Sequence, residues 1–284
     1  MTGPLLAIHD LQMSIGQGDE ARHVLQKVSL TVAPGESVGI VGESGSGKTL
    51  TVRSVIGLLP PGANLEGDVV YDGASVPQMS PRELSRLRRD EIGMVFQDPH
   101  ASVNPVHRIG DFLVETYRRQ SRRDRRAAAL RARELLRRVQ IKDPDRVLAS
   151  FPHQLSGGML QRVMIAAAVL REPRLLLADE PTTALDVTTQ AEVLGLLDEI
   201  RRERGAAMVF ITHDIEVVAA ICDRVVVMYG GRVVEELTPA QLHAGQISEP
   251  YTEALLACRP DIRHRRDRLP DVPRGTFDEK TVVS

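Results

Sequence analysis

The chain has 284 residues, with 36 Lys+Arg against 38 Asp+Glu and a formal net charge of −2. A composition that is 42% hydrophobic and 26% charged is ordinary for a globular protein, which excludes a disordered or fibrous chain. The near-neutral charge argues against a general nucleic-acid binder, so no nucleic-acid partner is expected.

No apolar run approaches the roughly 18 to 20 residues that a membrane-spanning helix needs. Residues Met1–Leu11 lack the basic and then apolar segments of a secretory signal. Cys222 and Cys258 are too few for a disulfide framework or a four-thiolate metal site. We therefore expect a cytoplasmic chain that does not cross a membrane by itself.

The first hundred residues read as short strands separated by polar turns. Within Leu5–Val41, a hairpin loop is expected at Gln17–Arg22 and a short apolar strand at Ser37–Val41. Lys48–Leu59 is predicted to be helical. The strand-like Gly67–Gly73 predicts a partner for the opening strands in an antiparallel β layer.

Helix-favouring residues dominate from about residue 99 to 170, which we interpret as an inserted helical subdomain. Apolar runs at Leu175–Ala178 and Met208–Thr212 flank a helical stretch at Val187–Arg204, and a third run follows at Arg224–Met228. Apolar strands that alternate with helices predict a parallel sheet covered on both faces. The expected fold is α/β, with one domain over residues 1–258 and a polar tail over 259–284.

A strand-to-helix junction carries the phosphate-binding pattern GxxxxGK[ST], as Gly42, Glu43, Ser44, Gly45, Ser46, Gly47, Lys48 and Thr49. Glycines let backbone N–H groups turn toward phosphate oxygens, and the helix N-terminus adds positive potential. Lys48 is expected to reach the β- and γ-phosphates, and Thr49 to offer its hydroxyl to Mg²⁺.

Two acidic residues, Asp179 and Glu180, end the apolar run that starts at Leu175. We expect Asp179 to hold Mg²⁺ and Glu180 to polarise a water in line with the γ-phosphate. A strand that ends in two acids is common by itself, so this assignment depends on the phosphate-binding pattern.

A second glycine turn, Leu155-Ser156-Gly157-Gly158-Met159, is followed by Gln161-Arg162. Here the chain resembles the ATP-binding subunits of ABC transporters, whose signature is LSGGQ. A Ser-Gly-Gly turn that opens a helix is an anion-binding surface. The resemblance implies a head-to-tail dimer in which Ser156, Gly157 and Gly158 of one subunit close over ATP held by the phosphate-binding loop of the other.

Further family elements occur in the expected order: Gln97 after an apolar strand, Ala184-Leu185-Asp186, and His213 after another strand. The resemblance implies that Gln97 senses the metal and the attacking water, Asp186 communicates across the dimer, and His213 contacts the γ-phosphate. It also implies an ABC ATPase of the P-loop NTPase fold that hydrolyses MgATP to ADP and phosphate. Its catalytic residues would be Lys48, Gln97, Glu180 and His213.

Three stretches are similar to the peptide and nickel importer branch of that family. They are Gln97-Asp98-Pro99 with Ser102-Val103-Asn104-Pro105, the signature with Met159, and Pro250-Tyr251-Thr252-Glu253-Ala254-Leu255-Leu256. The resemblance implies a D-type subunit that energises uptake of dipeptides or oligopeptides at the cytoplasmic face of the inner membrane; nickel or a metal chelate is the alternative solute. The implied partners are a second, different ABC ATPase, two integral membrane permease subunits and an extracytoplasmic solute-binding protein.

The chain departs from the family pattern at the adenine contact, where Ile15 stands in place of the usual aromatic residue. The adenine would then rest on an aliphatic face or on Arg22 or His23. Met159 lacks the hydrogen bonds of the usual Gln. Because Cys258 is alone near the C-terminal extension, no iron–sulfur centre is expected.

Residues Arg118–Arg138 include ten arginines against Asp124 and Glu134, which gives a local charge of +8 (10 − 2). One interpretation is a contact with anionic lipid headgroups or an acidic partner. The favoured one is the solvated face of an amphipathic helix whose other face carries Leu130, Leu135, Leu136 and Val139. A nucleic-acid role is disfavoured because no aromatic residues are interleaved for stacking.

Two other functions stay open beside a transporter ATPase. A soluble ABC-type ATPase of DNA repair, chromosome structure or translation usually carries two cassettes, a long coiled coil or zinc modules, and none is visible here. A catalytically silent regulator is disfavoured by the intact Lys48, Asp179, Glu180 and His213. For the transporter, the permeases are expected to dock near Gln97–Pro105.

Overall fold

The structure is a computed structural model that describes residues 3–16, 18, 21–117, 122–182 and 187–257. Its strands are β1 (Leu6–Ile15), β2 (Arg22–Val32), β3 (Ser37–Val41), β4 (Ala63–Tyr71), β5 (Ala74–Ser75), β6 (Ile92–Val95), β7 (Leu175–Asp179), β8 (Ala207–Ile211), β9 (Arg224–Tyr229) and β10 (Arg232–Leu237). Its helices are α1 (Lys48–Val55), α2 (Pro81–Arg86), α3 (Ile109–Tyr117), α4 (Arg122–Arg138), α5 (Pro144–Ala149), α6 (Gly157–Val169), α7 (Val187–Arg204), α8 (Ile215–Ile221), α9 (Pro239–His243) and α10 (Pro250–Ala257).

A six-stranded sheet in the order β10-β9-β3-β8-β7-β6 forms the centre of the molecule. Its strands are parallel except for β10, which forms an antiparallel hairpin with β9. Every residue of β3, β7 and β8 is buried. Alternate side chains enter two separate apolar cores, as Leu176 and Phe210 do on the helical side and Leu177 and Val209 on the other. The predicted parallel sheet with both faces covered is therefore confirmed.

A four-stranded antiparallel sheet in the order β2-β1-β4-β5 covers one face of the central sheet together with α1. The predicted antiparallel layer is confirmed, but its third strand begins at Ala63, before the predicted Gly67. Gly67 lies inside the strand with φ +85°, opposite a register shift in β1. A Cβ there would lie 2.6 Å from the carbonyl oxygen of His9, so this glycine marks a bulge and not a strand end.

The helix after the phosphate-binding loop is shorter than predicted. It ends at Val55 and not at Leu59. Gly57 has φ +60°, a left-handed conformation that terminates a helix, and Pro60 and Pro61 follow. The apolar Leu58 and Leu59 therefore lie beyond the helix despite their helix-favouring character.

Helices α3, α4 and α5 pack on one another, and α6 packs against both α4 and the edge strand β6. Leu135 and Leu136 of α4, and Val139 directly after it, are buried as predicted, but the placement of Leu130 on that face is wrong because it is 56% exposed. Small residues, Ala128 and Ala132, occupy the buried stripe instead. Their spacing to Leu135 and Leu136 follows the helical repeat, which Leu130 does not. Assigning residues 99–170 to a subdomain stays a prediction.

Several arginines of α4 pair with acids on other elements. Arg131 contacts Glu172, Arg133 contacts Asp145, and Arg138 contacts Glu199 and Glu203 of α7. These contacts support the solvated-helix interpretation, because part of the basic charge is neutralised within the chain. Arg118 and Arg119 lie outside the described residues, as do the side chains of Arg122, Arg123 and Arg125.

Within the described residues, no helix is both long enough and apolar enough to span a bilayer. Cys222 is buried, and burial raises the pKa of its thiol far above the usual range. Cys258 and the predicted tail at 259–284 lie outside the described residues.

Candidate functional site

The phosphate-binding loop lies between the carboxyl end of β3 and the first turn of α1. Gly47 precedes the helix with φ 100°, and a Cβ there would lie 2.6 Å from Cδ2 of Leu25. Gly42 has φ 151°, and a Cβ there would collide with the carbonyl oxygen of Met228. Both positions therefore require glycine because neighbouring strands leave no room for a side chain.

Lys48 is 5% exposed and its ammonium group lies inside the loop. Nζ donates to the carbonyl oxygens of Gly42 at 2.8 Å and Glu43 at 2.7 Å, and lies 3.4 Å from Oγ of Ser46. Burial lowers the pKa of Lys48 below its usual value, and the nearby Glu180, Asp179 and Glu43 oppose that shift only in part. A buried cation beside these carboxylates is suited to bind the oxygens of an anionic ligand.

Asp179 ends β7 opposite the loop and is fully buried. Oδ1 accepts a hydrogen bond from Oγ1 of Thr49 at 3.0 Å. Burial raises the pKa of Asp179, and the Thr49 hydrogen bond opposes that shift. Among the described residues, its buried Oδ2 has no hydrogen-bond partner. A hard oxygen ligand beside a threonine hydroxyl fits a divalent cation such as Mg²⁺.

Gln97 and Glu180 are in contact, and both line a pocket together with the phosphate-binding loop. Nε2 of Gln97 donates to Oε2 of Glu180 at 3.0 Å. Glu180 has φ 46°, a left-handed conformation that is strained for a residue with a side chain, and its N–H donates to the carbonyl of Ile211 at 3.0 Å. Strained backbone of this kind is concentrated at functional sites.

The pocket has a volume of about 290 Å³. It is lined by Arg22, Val24, Ser44, Gly45, Gly47, Lys48, Thr49, Leu50, Gln97 and Glu180. The structure therefore brings together in one pocket most of the loop and two of the other predicted site residues. Gly42, Glu43 and Ser46 do not line the pocket.

The predicted adenine contact, Ile15, does not line this pocket. It lies at the end of β1, half-buried, in register with Arg22 of β2. Arg22 and Val24 line the pocket instead, whereas His23 points to a separate cleft with Gln26 and Arg232. Of the alternatives for the adenine, Arg22 is therefore the better placed.

His213 is exposed and follows β8 by two residues, at the edge of the sheet where β7 also ends. It does not line the pocket. Ser156 lies at the start of α6, where its Oγ accepts a hydrogen bond from the N–H of Met159 at 3.3 Å. Ser156, Gly157 and Gly158 do not line the phosphate pocket of their own chain. Asp186 lies outside the described residues, with Ala184 and Leu185.

Two residues of the quoted motifs have contacts that the sequence did not reveal. Nε2 of the buried Gln161 on α6 donates to the carbonyl of Pro181 at 2.7 Å. This bond joins the signature helix to the residue that follows Glu180. Tyr251 of α10 contacts the phosphate-binding loop, as its hydroxyl accepts from the N–H of Glu43 at 2.9 Å. The sequence offered one signal for these residues: Gln161 follows the Ser-Gly-Gly signature, and Tyr251 lies in the stretch that is similar to peptide importers.

A parallel sheet with a glycine loop, a buried lysine and two acids at the end of an adjacent strand defines a P-loop nucleoside triphosphatase. The family model described as "ABC transporter" matches residues 25–183, more than half of the chain. The chain belongs to the ABC transporter family, as an ATP-hydrolysing ATP-binding subunit.

Curated relatives match along nearly the whole chain. A probable peptide ABC transporter ATP-binding protein of Sinorhizobium fredii is 44% identical over 95% of this chain and 81% of its own length. An oligopeptide transport ATP-binding protein of Haemophilus influenzae is 39% identical over 95% and 83%. A probable D,D-dipeptide transport ATP-binding protein of Escherichia coli is 42% identical over 99% and 86%.

Solved structures agree with the fold. A dimeric ATP-binding cassette in a post-hydrolysis state, bound to ADP and phosphate, matches with a TM-score of 0.73 and 32% identity, over 82% of this chain and 98% of that one. A cassette from Clostridium perfringens, part of an ABC transporter complex, matches with a TM-score of 0.70 and 28% identity, over 86% and 92%. The predicted ABC ATPase fold is therefore confirmed.

Proposed function

We propose that this protein is the ATP-hydrolysing subunit of a multi-subunit importer of dipeptides or oligopeptides, located at the cytoplasmic face of the inner membrane. The observation that carries the hydrolytic part is the 3.0 Å contact between Gln97 and Glu180. It brings a carboxylate and an amide into the pocket that the phosphate-binding loop lines. The names of three curated relatives, all peptide or oligopeptide transport proteins, support the solute class.

The residues of the pocket divide into two groups. Lys48 and the loop N–H groups would hold the phosphates of ATP, and Thr49, Asp179 and Gln97 would hold Mg²⁺. A metal ion bound there would neutralise charge that develops on the β- and γ-phosphates.

Glu180 accepts a proton from the attacking water, and Gln97 orients both the carboxylate and that water. A carboxylate positioned by an amide donor in the phosphate pocket is suited to act as a general base. His213, at the end of the neighbouring strand, contacts the γ-phosphate once the site closes. Asp186 communicates between the two nucleotide sites.

The glycine turn of α6 acts in trans. Its N-terminal N–H groups are suited to anions, yet they do not line the pocket of their own chain. A second ATPase subunit, of a different sequence, supplies the pocket over which Ser156, Gly157 and Gly158 close. The dimeric arrangement of a solved relative supports this assembly.

A mostly apolar cleft of about 370 Å³ lies between β6 and the helices that follow it. Met94, Phe96, Ser102 and Phe112 line it, and Leu58 at its rim is 42% exposed. We assign this cleft to the cytoplasmic helices of two integral membrane permeases, close to the predicted Gln97–Pro105 region. An extracytoplasmic solute-binding protein completes the system.

Affinity purification from native membranes, followed by an ATPase assay, tests the proposal. We expect two integral membrane proteins and a second ATPase to co-purify, and we expect dipeptides or oligopeptides with their binding protein to stimulate hydrolysis. Stimulation by a nickel chelate alone would contradict the solute class. Recovery without membrane subunits, but with DNA or ribosomes, would support the soluble alternative.

A further inference from the structure

Helix α10 packs directly beside the phosphate-binding loop. Its first turn contains Tyr251 and Thr252, which are 2% and 0% exposed. The Tyr251 ring packs on that of Tyr229 at the end of β9, with 4.5 Å between the ring centroids. This turn belongs to the stretch Pro250–Leu256, whose pattern is typical of peptide importers but has no part in the mechanism above.

The Tyr251 hydroxyl contacts the loop through one peptide unit. It accepts a hydrogen bond from the N–H of Glu43 at 2.9 Å, while the carbonyl oxygen of Gly42, which belongs to the same peptide unit, accepts from Nζ of Lys48 at 2.8 Å. The Gly42–Glu43 peptide unit is therefore held on one side by α10 and on the other by Lys48. A rotation of this peptide unit would break both bonds together.

The start of α10 is itself anchored to the central sheet. Oε1 of Glu235, a buried carboxylate on β10, accepts from the N–H of Ser248 at 2.7 Å and from its hydroxyl at 2.8 Å. The N–H of Glu249 is 3.4 Å from the same oxygen. Hydrogen bonds to a charged carboxylate are among the stronger hydrogen bonds, so they fix the start of α10 and with it the position of Tyr251 beside the loop.

The β9–β10 turn supports a different part of the loop. The N–H of Gly231 donates to the carbonyl of Ser46 at 3.2 Å, and the Met228 carbonyl abuts Gly42. Neighbouring elements therefore contact the loop at Gly42, Glu43 and Ser46, and the contact at Glu43 depends on the Tyr251 hydroxyl.

We propose that Tyr251 is a positioning residue of the ATP site, and that α10 is a structural part of the nucleotide-binding unit. Its hydroxyl holds the Gly42–Glu43 peptide unit, and through the Gly42 carbonyl also Lys48, in the orientation that receives the phosphates. The proposal rests on the ATPase activity and is independent of the transported solute.

Replacement of Tyr251 by Phe tests the hydroxyl while retaining the ring. The full chain is purified with its native partner subunits, and KM for ATP, kcat and Tm are measured. One neutral hydrogen bond changes an equilibrium constant by roughly two- to tenfold, so we expect KM to rise by about that factor. We expect kcat at saturating ATP to change by less than about twofold, because the hydroxyl does not contact the reacting atoms.

Tyr71→Phe is the matched control. Tyr71 is also buried, and its hydroxyl lies 3.5 Å from Oε2 of Glu91, on the antiparallel sheet. We expect this variant to leave KM unchanged. An equal rise in KM in both variants would overturn the proposal, since the effect would then follow from losing any buried hydroxyl.

Glu235→Gln is a second variant that keeps the Tyr251 hydroxyl but weakens the anchor of α10. We expect KM to shift in the same direction by a smaller factor, and faster amide hydrogen exchange in the peptide that contains Glu43. Unchanged KM in both Tyr251→Phe and Glu235→Gln, in folded protein, would overturn the proposal. A shift in KM without any peptide-stimulated turnover would support it while contradicting peptide transport.

Discussion

Two helices of this protein begin at glycine-containing turns, and their surroundings differ. Helix α1 starts inside a pocket where Lys48, Thr49, Gln97 and Glu180 converge. Helix α6 starts at the exposed Ser156, with no acidic residue in its first turn. Both N-termini favour anions for the same physical reason, since both present backbone N–H groups at the positive end of a helix dipole.

The difference is in the catalytic groups. In the proposed mechanism, the α1 site binds phosphate and also offers a metal ligand and a carboxylate that can accept a proton. The α6 site offers an anion-binding helix end alone. We therefore expect the catalytic groups to lie at α1, and the α6 surface to act on the pocket of a second subunit.

The largest expected effect comes from removing the proton acceptor at the α1 site. In Glu180→Gln, the amide retains the shape of the side chain but cannot take the proton of the attacking water. We expect kcat to fall by about 10²- to 10⁴-fold, with the affinity for ATP preserved. Turnover of the purified complex and equilibrium binding of ATP measure the two quantities; undiminished turnover would contradict the assignment of Glu180.

The next effect tests the α6 site. Gly158→Asp places a negative charge at the helix N-terminus, where it repels phosphate oxygens. We expect ATPase activity of the complex to fall by about tenfold or more, while ATP binding to the isolated chain stays unchanged.

Gly195→Asp is a suitable control for that substitution, because Gly195 has open space around it on α7. Weaker binding of ATP to the isolated Gly158→Asp chain would show that the two glycine turns act on the same pocket, which would contradict the assembly in trans.

A smaller effect is expected from removing the hydrogen bond between Gln161 of α6 and Pro181, the residue after Glu180. Gln161→Leu removes the donor to the Pro181 carbonyl, so we expect the free energy of unfolding to fall by about 1 to 3 kcal/mol. We also expect a lower kcat with unchanged KM, because Pro181 follows Glu180 directly. Chemical denaturation and steady-state kinetics measure both, and an unaltered kcat at reduced stability would limit Gln161 to a structural role.

The smallest effect depends on pH. Burial raises the pKa of Glu235. The adjacent Thr252 hydroxyl and the hydrogen bonds from Ser248 and Glu249 together lower that pKa by more than burial raises it, so the net pKa is below the ordinary 4.5. A lowered pKa in the folded state contributes stability above pH 4.5 that is lost as pH falls through the folded-state value.

The Tm difference between the wild type and Glu235→Gln should therefore be largest near pH 7 and shrink below about pH 4.5. Thermal unfolding across that range measures it. A Tm difference that grows on acidification would have the wrong sign for this carboxylate.

The parts that the sequence predicted well are local. β3 and β7 are continuous buried runs, and the phosphate-binding pattern requires neighbouring glycines and a lysine. Leu130 differs from the prediction because its position does not follow the helical repeat that buries Leu135 and Leu136. Gly67 lies inside a strand and not at its end because its bulge depends on a register shift in another strand.

The parts that the sequence could not predict depend on distant contacts. The bond between Glu43 and Tyr251 joins positions 208 residues apart, and that between Gln161 and Pro181 depends on how α6 packs against the central sheet at β6. The left-handed backbone of Glu180 has no local signature, because its conformation is imposed by the surrounding sheet. These contacts set the orientation of the proposed catalytic groups, whereas the sequence motifs indicate only which residues those groups are.

The contacts of the Lys48 ammonium also have a kinetic consequence. They hold the carbonyl groups of Gly42 and Glu43, so part of the conformational entropy of ordering the loop is lost when the chain folds. An arriving nucleotide then has little loop to organise. We expect its association rate to depend on diffusion and ionic strength more than on a slow rearrangement of the protein.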